Sequence, residues 1–330
     1  MNGPEAKIEI FKPFGDAFEL MKKILFQPFD AKKWFIIGFA AWLANLGGGS
    51  FNYQYNRRED VQKLREAISQ IPHSILVTGV CVLIFVVLVL IVLFACLRAR
   101  GRFMFIDCIV KNRGAIAQPW HDFRKEGNSY FLFSLVVGLA LFVFALLLSV
   151  PFILLVNKGR YYFFIHRDQL NVYLIAVIAA WVFAVILFVL AWSLIASFMT
   201  PVMYRRRCRA YEAVRAVIKL VAANPGEILL YCLFLIVLAM AAAIVACLVT
   251  CATCCIAAIP YIGTVILLPV FVLLRSFSLL FLRQFGPEYD VWSGFVPPEF
   301  LPILSPALSA PPPSTSALNP PPEPPLPPGG

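Results

Sequence analysis

Residues 228–274 form a run of 47 positions without a single Asp, Glu, Lys or Arg. As one straight helix it would be about 70 Å long, more than twice a hydrocarbon core of about 30 Å. The run is too apolar for a soluble core and too long for one crossing, so it must fold back. Pro260 marks the place for that turn. Four shorter uncharged runs precede it, at 34–56, 67–97, 127–157 and 169–204. Composition agrees with lipid as the main solvent: 61% of residues are hydrophobic and 14% charged, against about 25% charged in ordinary soluble domains. Backbone groups in lipid must be satisfied internally, which leaves helices or closed barrels. Barrel strands are shorter and alternate in polarity, so runs of this kind exclude them.

The expected fold is therefore all-α, a polytopic membrane bundle of about six transmembrane helices, at roughly 34–52, 75–97, 130–156, 172–200, 228–250 and 258–281. The expected organisation is a cytoplasmic or interfacial amphipathic segment at 1–33, the transmembrane domain at 34–285 and a tail at 286–330. Residues 1–33 contain no apolar signal core and no cleavage site, so the first apolar run reads as a signal anchor. Of 28 Lys and Arg residues, 21 fall on one side of these spans and seven on the other. The positive-inside rule then places both termini in the cytoplasm, as an even number of crossings requires, and the expected location is a bacterial cytoplasmic membrane. Because the basic residues sit beside the apolar runs, the net charge of +10 points to a membrane surface rather than to nucleic acid.

The three cytoplasmic segments share a plan: an amphipathic stretch, an amide–proline pair, then a membrane helix. In the first, Phe14, Ala17, Phe18, Met21, Ile24 and Leu25 fall on one helical face. In the third, Ala210, Tyr211, Val214, Val217, Ile218 and Val221 do so, and the middle copy, Arg102 to Val110, is cruder. The pairs Gln27–Pro28, Gln118–Pro119 and Asn224–Pro225 end these stretches, since proline cannot continue the helix before it. Pro28, Pro119 and Pro225 are thus expected elbows in a threefold repeat of elbow helix plus transmembrane hairpin. The basic faces of such helices would attract anionic headgroups of the inner leaflet.

Candidate chemistry is sparse. Cys247, Cys251, Cys254 and Cys255 can share one helix face, but no His lies beside them, so packing is a better account than a metal site, while a redox role is left open. His73, His121 and His166 are scattered, and no metal or cofactor site is expected. Asn45 and Gly47–Gly48–Gly49 fit a tight turn leaving the membrane, or a broken helix of the kind transporters use. Arg275 is the one ionisable residue placed to lie within the bilayer, where it would need a carboxylate or carbonyl partner; otherwise it sits at the inner interface. From Pro297 onward 14 of 34 residues are proline. Such a tail cannot bury a core and is expected to be extended and disordered, with or without a proline-binding protein partner.

Two stretches, RGRFMFIDCIVKNRGAIAQPW at 100–120 and IPYIGTVILLPVFVLLRSFSLLFLRQFGPEYD at 259–290, carry a resemblance. They resemble a broad set of uncharacterised prokaryotic six-helix membrane proteins, similar in layout to the membrane domain attached to some glycerophosphodiester phosphodiesterases. The resemblance supplies no catalytic residues, and this chain lacks the soluble phosphodiesterase domain. The function expected is non-enzymatic: membrane organisation, lipid sensing or support of a membrane partner. A small transporter or channel is the alternative.

Overall fold

A computed structural model describes residues 8–46, 72–162, 167–253 and 259–293. Among them the regular elements are all helical. In chain order they are α1 (Phe11–Phe26), α2 (Ala31–Ala44), α3 (His73–Val110), α4 (Ala117–Asp122) and α5 (Arg124–Tyr162), then α6 (Arg167–Arg206), α7 (Ala210–Ala223), α8 (Pro225–Ala252), α9 (Pro260–Ile266) and α10 (Leu268–Arg283).

Four of these helices are long and apolar enough to cross a membrane: α3 over Ser74–Val110, α5 over Arg124–Leu147, α6 over Ile178–Arg206 and α8 over Pro225–Ala252. The other two expected spans have a different form. Segment 34–52 contributes α2, whose 14 residues reach about 21 Å. Its last turn closes where the Asn45 side chain donates to the Ala41 carbonyl at 2.8 Å. The glycines that follow lie outside the described residues. Segment 258–281 is divided at Leu267, just before Pro269, into α9 and α10.

Among the described side chains, burial is concentrated at one end of the long helices. α3 is exposed from Val77 to Phe94 and buried from Phe103 to Val110. The described side chains of α6 are exposed through Leu190, whereas Phe198, Met199, Val202 and Met203 are buried. α5 and α8 run the other way, with Tyr130 and Tyr231 buried near their starts and exposed apolar side chains beyond. α1, α2, α7, α9 and α10 pack around this same end. Its centre is aromatic: Tyr231 stacks on Phe281 with ring centroids 4.4 Å apart and on Phe277 at 5.4 Å, and Phe198 leans on Tyr231 at 5.1 Å. The Tyr231 hydroxyl is satisfied at 2.7 Å by Ser278.

Two of the three expected elbows are present as separate helices. α1 buries Ala17, Met21, Ile24 and Leu25 of the predicted stripe, and α7 buries Ala210 and Val217. The predicted stripes are wider than the buried faces: Phe18, Tyr211 and Ile218 remain exposed. Pro225 takes the first position of α8, where its missing N–H costs nothing. The middle elbow is a correction. Arg102 to Val110 continues α3 without a break, and Pro119 lies inside the six-residue α4 rather than after an amphipathic helix. The apolar residues 103–106 are simply buried on all sides, so no stripe forms there.

The tail boundary is also corrected. Residues 286–293 belong to the packed end. Arg283 and Asp290 form a buried ion pair at 3.1 Å, the second Asp290 oxygen accepts the Trp292 amide at 2.9 Å, and Val291 and Trp292 are buried. Arg206 reaches Glu288 at 2.6 Å and lies over the Tyr289 ring. Across the chain, the Glu9 amide donates to Gln284 Oε1 and Gln284 Nε2 donates back to the Glu9 carbonyl, both at 2.8 Å. The proline-rich residues beyond 293 lie outside the described residues.

Candidate functional site

Proline in a helix interior removes the N–H that would bond the carbonyl four residues earlier. In α6 that proline is Pro201, and the carbonyl it frees belongs to Ser197. Arg275 on α10 supplies the missing donor: its Nη1 reaches the Ser197 carbonyl at 3.3 Å, and its Nη2 reaches Thr200 Oγ1 at 2.5 Å. Thr200 Oγ1 also donates toward the Ser197 carbonyl at 3.4 Å. The guanidinium therefore meets an oxygen acceptor of the backbone rather than a carboxylate, and ties α10 to the proline turn of α6.

Arg275 is not alone. Arg98 and Arg102 lie one turn apart on α3, and Arg102 is within electrostatic reach of both Arg98 and Arg275. Arg102 donates to the Tyr130 hydroxyl of α5 and lies over that ring at 5.3 Å. The Arg98 Nε is fully buried and has no hydrogen-bond partner among the described residues. All three arginines are half-buried. They stand where the exposed parts of α3, α5 and α6 give way to the packed end.

Below them, toward Val110, lies a second charged group. Asp107 has no exposed side-chain surface, yet it meets Lys111 Nζ at 2.6 Å, Arg113 Nη2 at 3.2 Å and the Tyr204 hydroxyl at 2.9 Å. This carboxylate joins α3, the loop after it and the end of α6. Nearby, Arg207 pairs with Glu126 at 3.4 Å, donates to the Asp122 carbonyl at 2.8 Å and covers the Phe123 ring at 3.8 Å. Arg100 lies over Trp120 at 4.7 Å and donates to Asn128. On α1, burial pushes the Asp16 carboxyl above its ordinary range, with Lys12 and Arg283 opposing the shift.

The other sequence candidates do not converge on this region. Pro28 follows α1, Pro119 is buried in α4 and Pro225 begins α8. Cys247 and Cys251 lie exposed on α8, remote in sequence from every arginine of the cluster, and Cys254 and Cys255 lie outside the described residues. Among the described residues no group of His, Cys, Asp and Glu could hold a metal ion. Sequence reasoning singled out Arg275 but missed Arg98, Arg102 and Asp107. The signal for Asp107 was present: it is a lone carboxylate in the apolar stretch 103–110, which burial tolerates only with partners.

Substitution at Arg275 distinguishes a buried donor from an interfacial anchor. Arg275→Leu removes the guanidinium from the Ser197 carbonyl and from Thr200 Oγ1, leaving the carbonyl only the long Thr200 contact at 3.4 Å, and losing hydrogen bonds from a charged donor costs about 1.5–3 kcal/mol. Arg275→Lys keeps a donor and should restore part of that loss. Thermal unfolding of the full chain in detergent measures both. Wild-type stability for Arg275→Leu would mean that the carbonyl is satisfied by solvent at an interface.

Comparison with known proteins gives one finding. A family model described as "Family of unknown function (DUF7544)" matches residues 9–282. No curated protein matches the chain, and no solved structure does.

Proposed function

The chain belongs to DUF7544, a family of unknown function, and from its own residues we propose a non-enzymatic integral protein of a prokaryotic cytoplasmic membrane that binds and organises inner-leaflet lipid. The observation that carries this reading is the pair of exposed faces on α1 and α7. Phe11, Phe18, Lys22 and Phe26 share one face of α1, and Tyr211, Arg215 and Ile218 share one face of α7. Tyr211 is 67% exposed and Phe11 81%. Apolar and basic side chains on one solvent-facing stripe fit the headgroup layer, where rings reach the acyl boundary and cations meet anionic lipid.

Other features support the same reading. Four helices expose apolar side chains along most of their membrane-length parts. The basic residues of Arg98–Arg113 and Arg205–Arg215 all lie at or beside the packed end, which the charge asymmetry assigns to the cytoplasm. Carboxylates in that end, Asp107, Glu126 and Asp290, are engaged in ion pairs, which suits a structural and binding role. The proposal includes six crossings, with residues 34–52 and 258–281 making the first and last, and both termini inside. It also includes the likeness in layout to the membrane domain of some glycerophosphodiester phosphodiesterases, without their catalytic activity.

Topology provides the test. Single cysteines placed at Arg57, Arg113, His166, Arg206 and Pro312 in a cysteine-free background are to be labelled with an impermeant reagent in intact cells. Positions 57 and 166 should label, and 113, 206 and 312 should label only after permeabilisation. External labelling at 113 or 206 would invert the protein and remove the inner-leaflet reading.

A further inference from the structure

We infer that Arg98, Arg102 and Arg275 form a binding site for the phosphate of a phospholipid of the inner leaflet, whose acyl chains lie along the exposed apolar parts of α3, α5 and α6. The inference rests on the proposed orientation and extends it to a particular site. Arg102 stands between the other two, one turn from Arg98 on α3 and within electrostatic reach of Arg275 on α10, and the partners of Arg102 and Arg275 are a carbonyl, two hydroxyls and an aromatic ring. Among the described residues no carboxylate pairs with Arg98 or Arg275. Like charges in a poorly hydrated place repel, and retaining them requires a compensating anion. The contrast with Asp107 is direct, because there the chain supplies its own carboxylate to Lys111 and Arg113.

The surroundings specify the anion. A guanidinium presents five donors in a planar fork and suits phosphate oxygens, and Arg98 has donors to offer. A phospholipid joins this anion to the hydrocarbon that the adjoining apolar surface requires. From Arg98 toward the start of α3, Phe94, Ile91, Val87 and Ile84 share its face and are exposed. On the Tyr130 face of α5, Phe133, Val137 and Leu141 are half-buried and apolar. A phosphate held at the arginines and two acyl chains running toward the bilayer centre match the order of polarity along these helices. This is also how an inner-leaflet lipid is oriented when the packed end is cytoplasmic.

The full-length protein in nanodiscs tests this. Wild type is reconstituted in phosphatidylcholine alone or with phosphatidylglycerol, then followed by native mass spectrometry and thermal unfolding. Phosphatidylglycerol should be retained over the neutral lipid and raise the unfolding temperature. The double variant R98Q/R102Q should retain at least about tenfold less of it, as expected for the loss of charge-assisted hydrogen bonds, and R98K/R102K should recover part. Retention unchanged in R98Q/R102Q would overturn the site. If R98Q/R102Q fails to fold, the wild-type result decides: no preference between the two lipids would overturn the inference. Equal stabilisation by inorganic phosphate in phosphatidylcholine nanodiscs would reassign the site to a soluble anion and overturn the lipid. Loss of retention in R215Q/K219Q but not in R98Q/R102Q would refute this site while leaving the interfacial α7 face intact. Inverted cysteine labelling would instead refute the orientation.

Discussion

Alanine at Asp107 is expected to lower stability by about 3–5 kcal/mol, the cost of removing one member of a buried ion pair and stranding the others. The carboxylate has no exposed surface and holds Lys111, Arg113 and Tyr204 together. Its loss takes the acceptor from the Tyr204 hydroxyl and the carboxylate partner from Arg113. Tyr204→Phe removes one hydrogen bond to a charged group and should cost less, about 1.5–3 kcal/mol. Thermal unfolding of the full chain in detergent, followed through tertiary aromatic signals, ranks the two. If Asp107→Ala melts with the wild type, the carboxylate is hydrated and the buried description of this end is wrong.

The second large effect is expected at Gly101. A Cβ there would lie 2.6 Å from the Leu43 Cβ and 2.7 Å from the Ala44 nitrogen, so α2 and α3 touch backbone to backbone. Helix propensity alone would make Gly101→Ala stabilising by about 1 kcal/mol. The close approach reverses that sign, because a backbone cannot step aside as a side-chain tip can. A net cost near the upper end of overpacking, about 3 kcal/mol, is expected. Gly138→Ala on α5 is the control, since nothing lies within 4 Å of its added carbon. Stabilisation by Gly101→Ala would separate α2 from α3.

These two residues also mark where the sequence was and was not legible. Long apolar runs identified α3, α5, α6 and α8, because lipid imposes one requirement on every residue of such a helix. The stripes of α1 and α7 were legible for the same local reason: helical spacing places their apolar side chains on one face. What escaped depends on distant partners. Asp107 is 97 residues from Tyr204, and nothing in 103–110 announces that encounter. The middle elbow failed because apolar residues buried on all sides mimic a poor amphipathic stripe. Residues 286–293 looked like the beginning of a proline-rich tail, although Tyr289, Asp290 and Trp292 have the chemistry of a core edge. Arg275 was found by its depth, but its acceptor was not, since that required linking it to the carbonyl freed by Pro201 on another helix.

The uneven distribution of burial has a consequence for how this chain can vary. Along the outer stretches of α3, α5, α6 and α8, side chains answer to acyl chains, which accept Leu, Ile, Val or Phe almost interchangeably. At the packed end, a single methylene must fit against fixed neighbours at crystal-like density. The same protein thus carries two kinds of hydrophobic residue under different selection. In a saturation mutagenesis experiment, positions such as Leu83, Leu139 and Ile186 should tolerate any apolar replacement, whereas Phe103, Met199 and Phe281 should tolerate few. Relatives would then drift fastest where they are most hydrophobic.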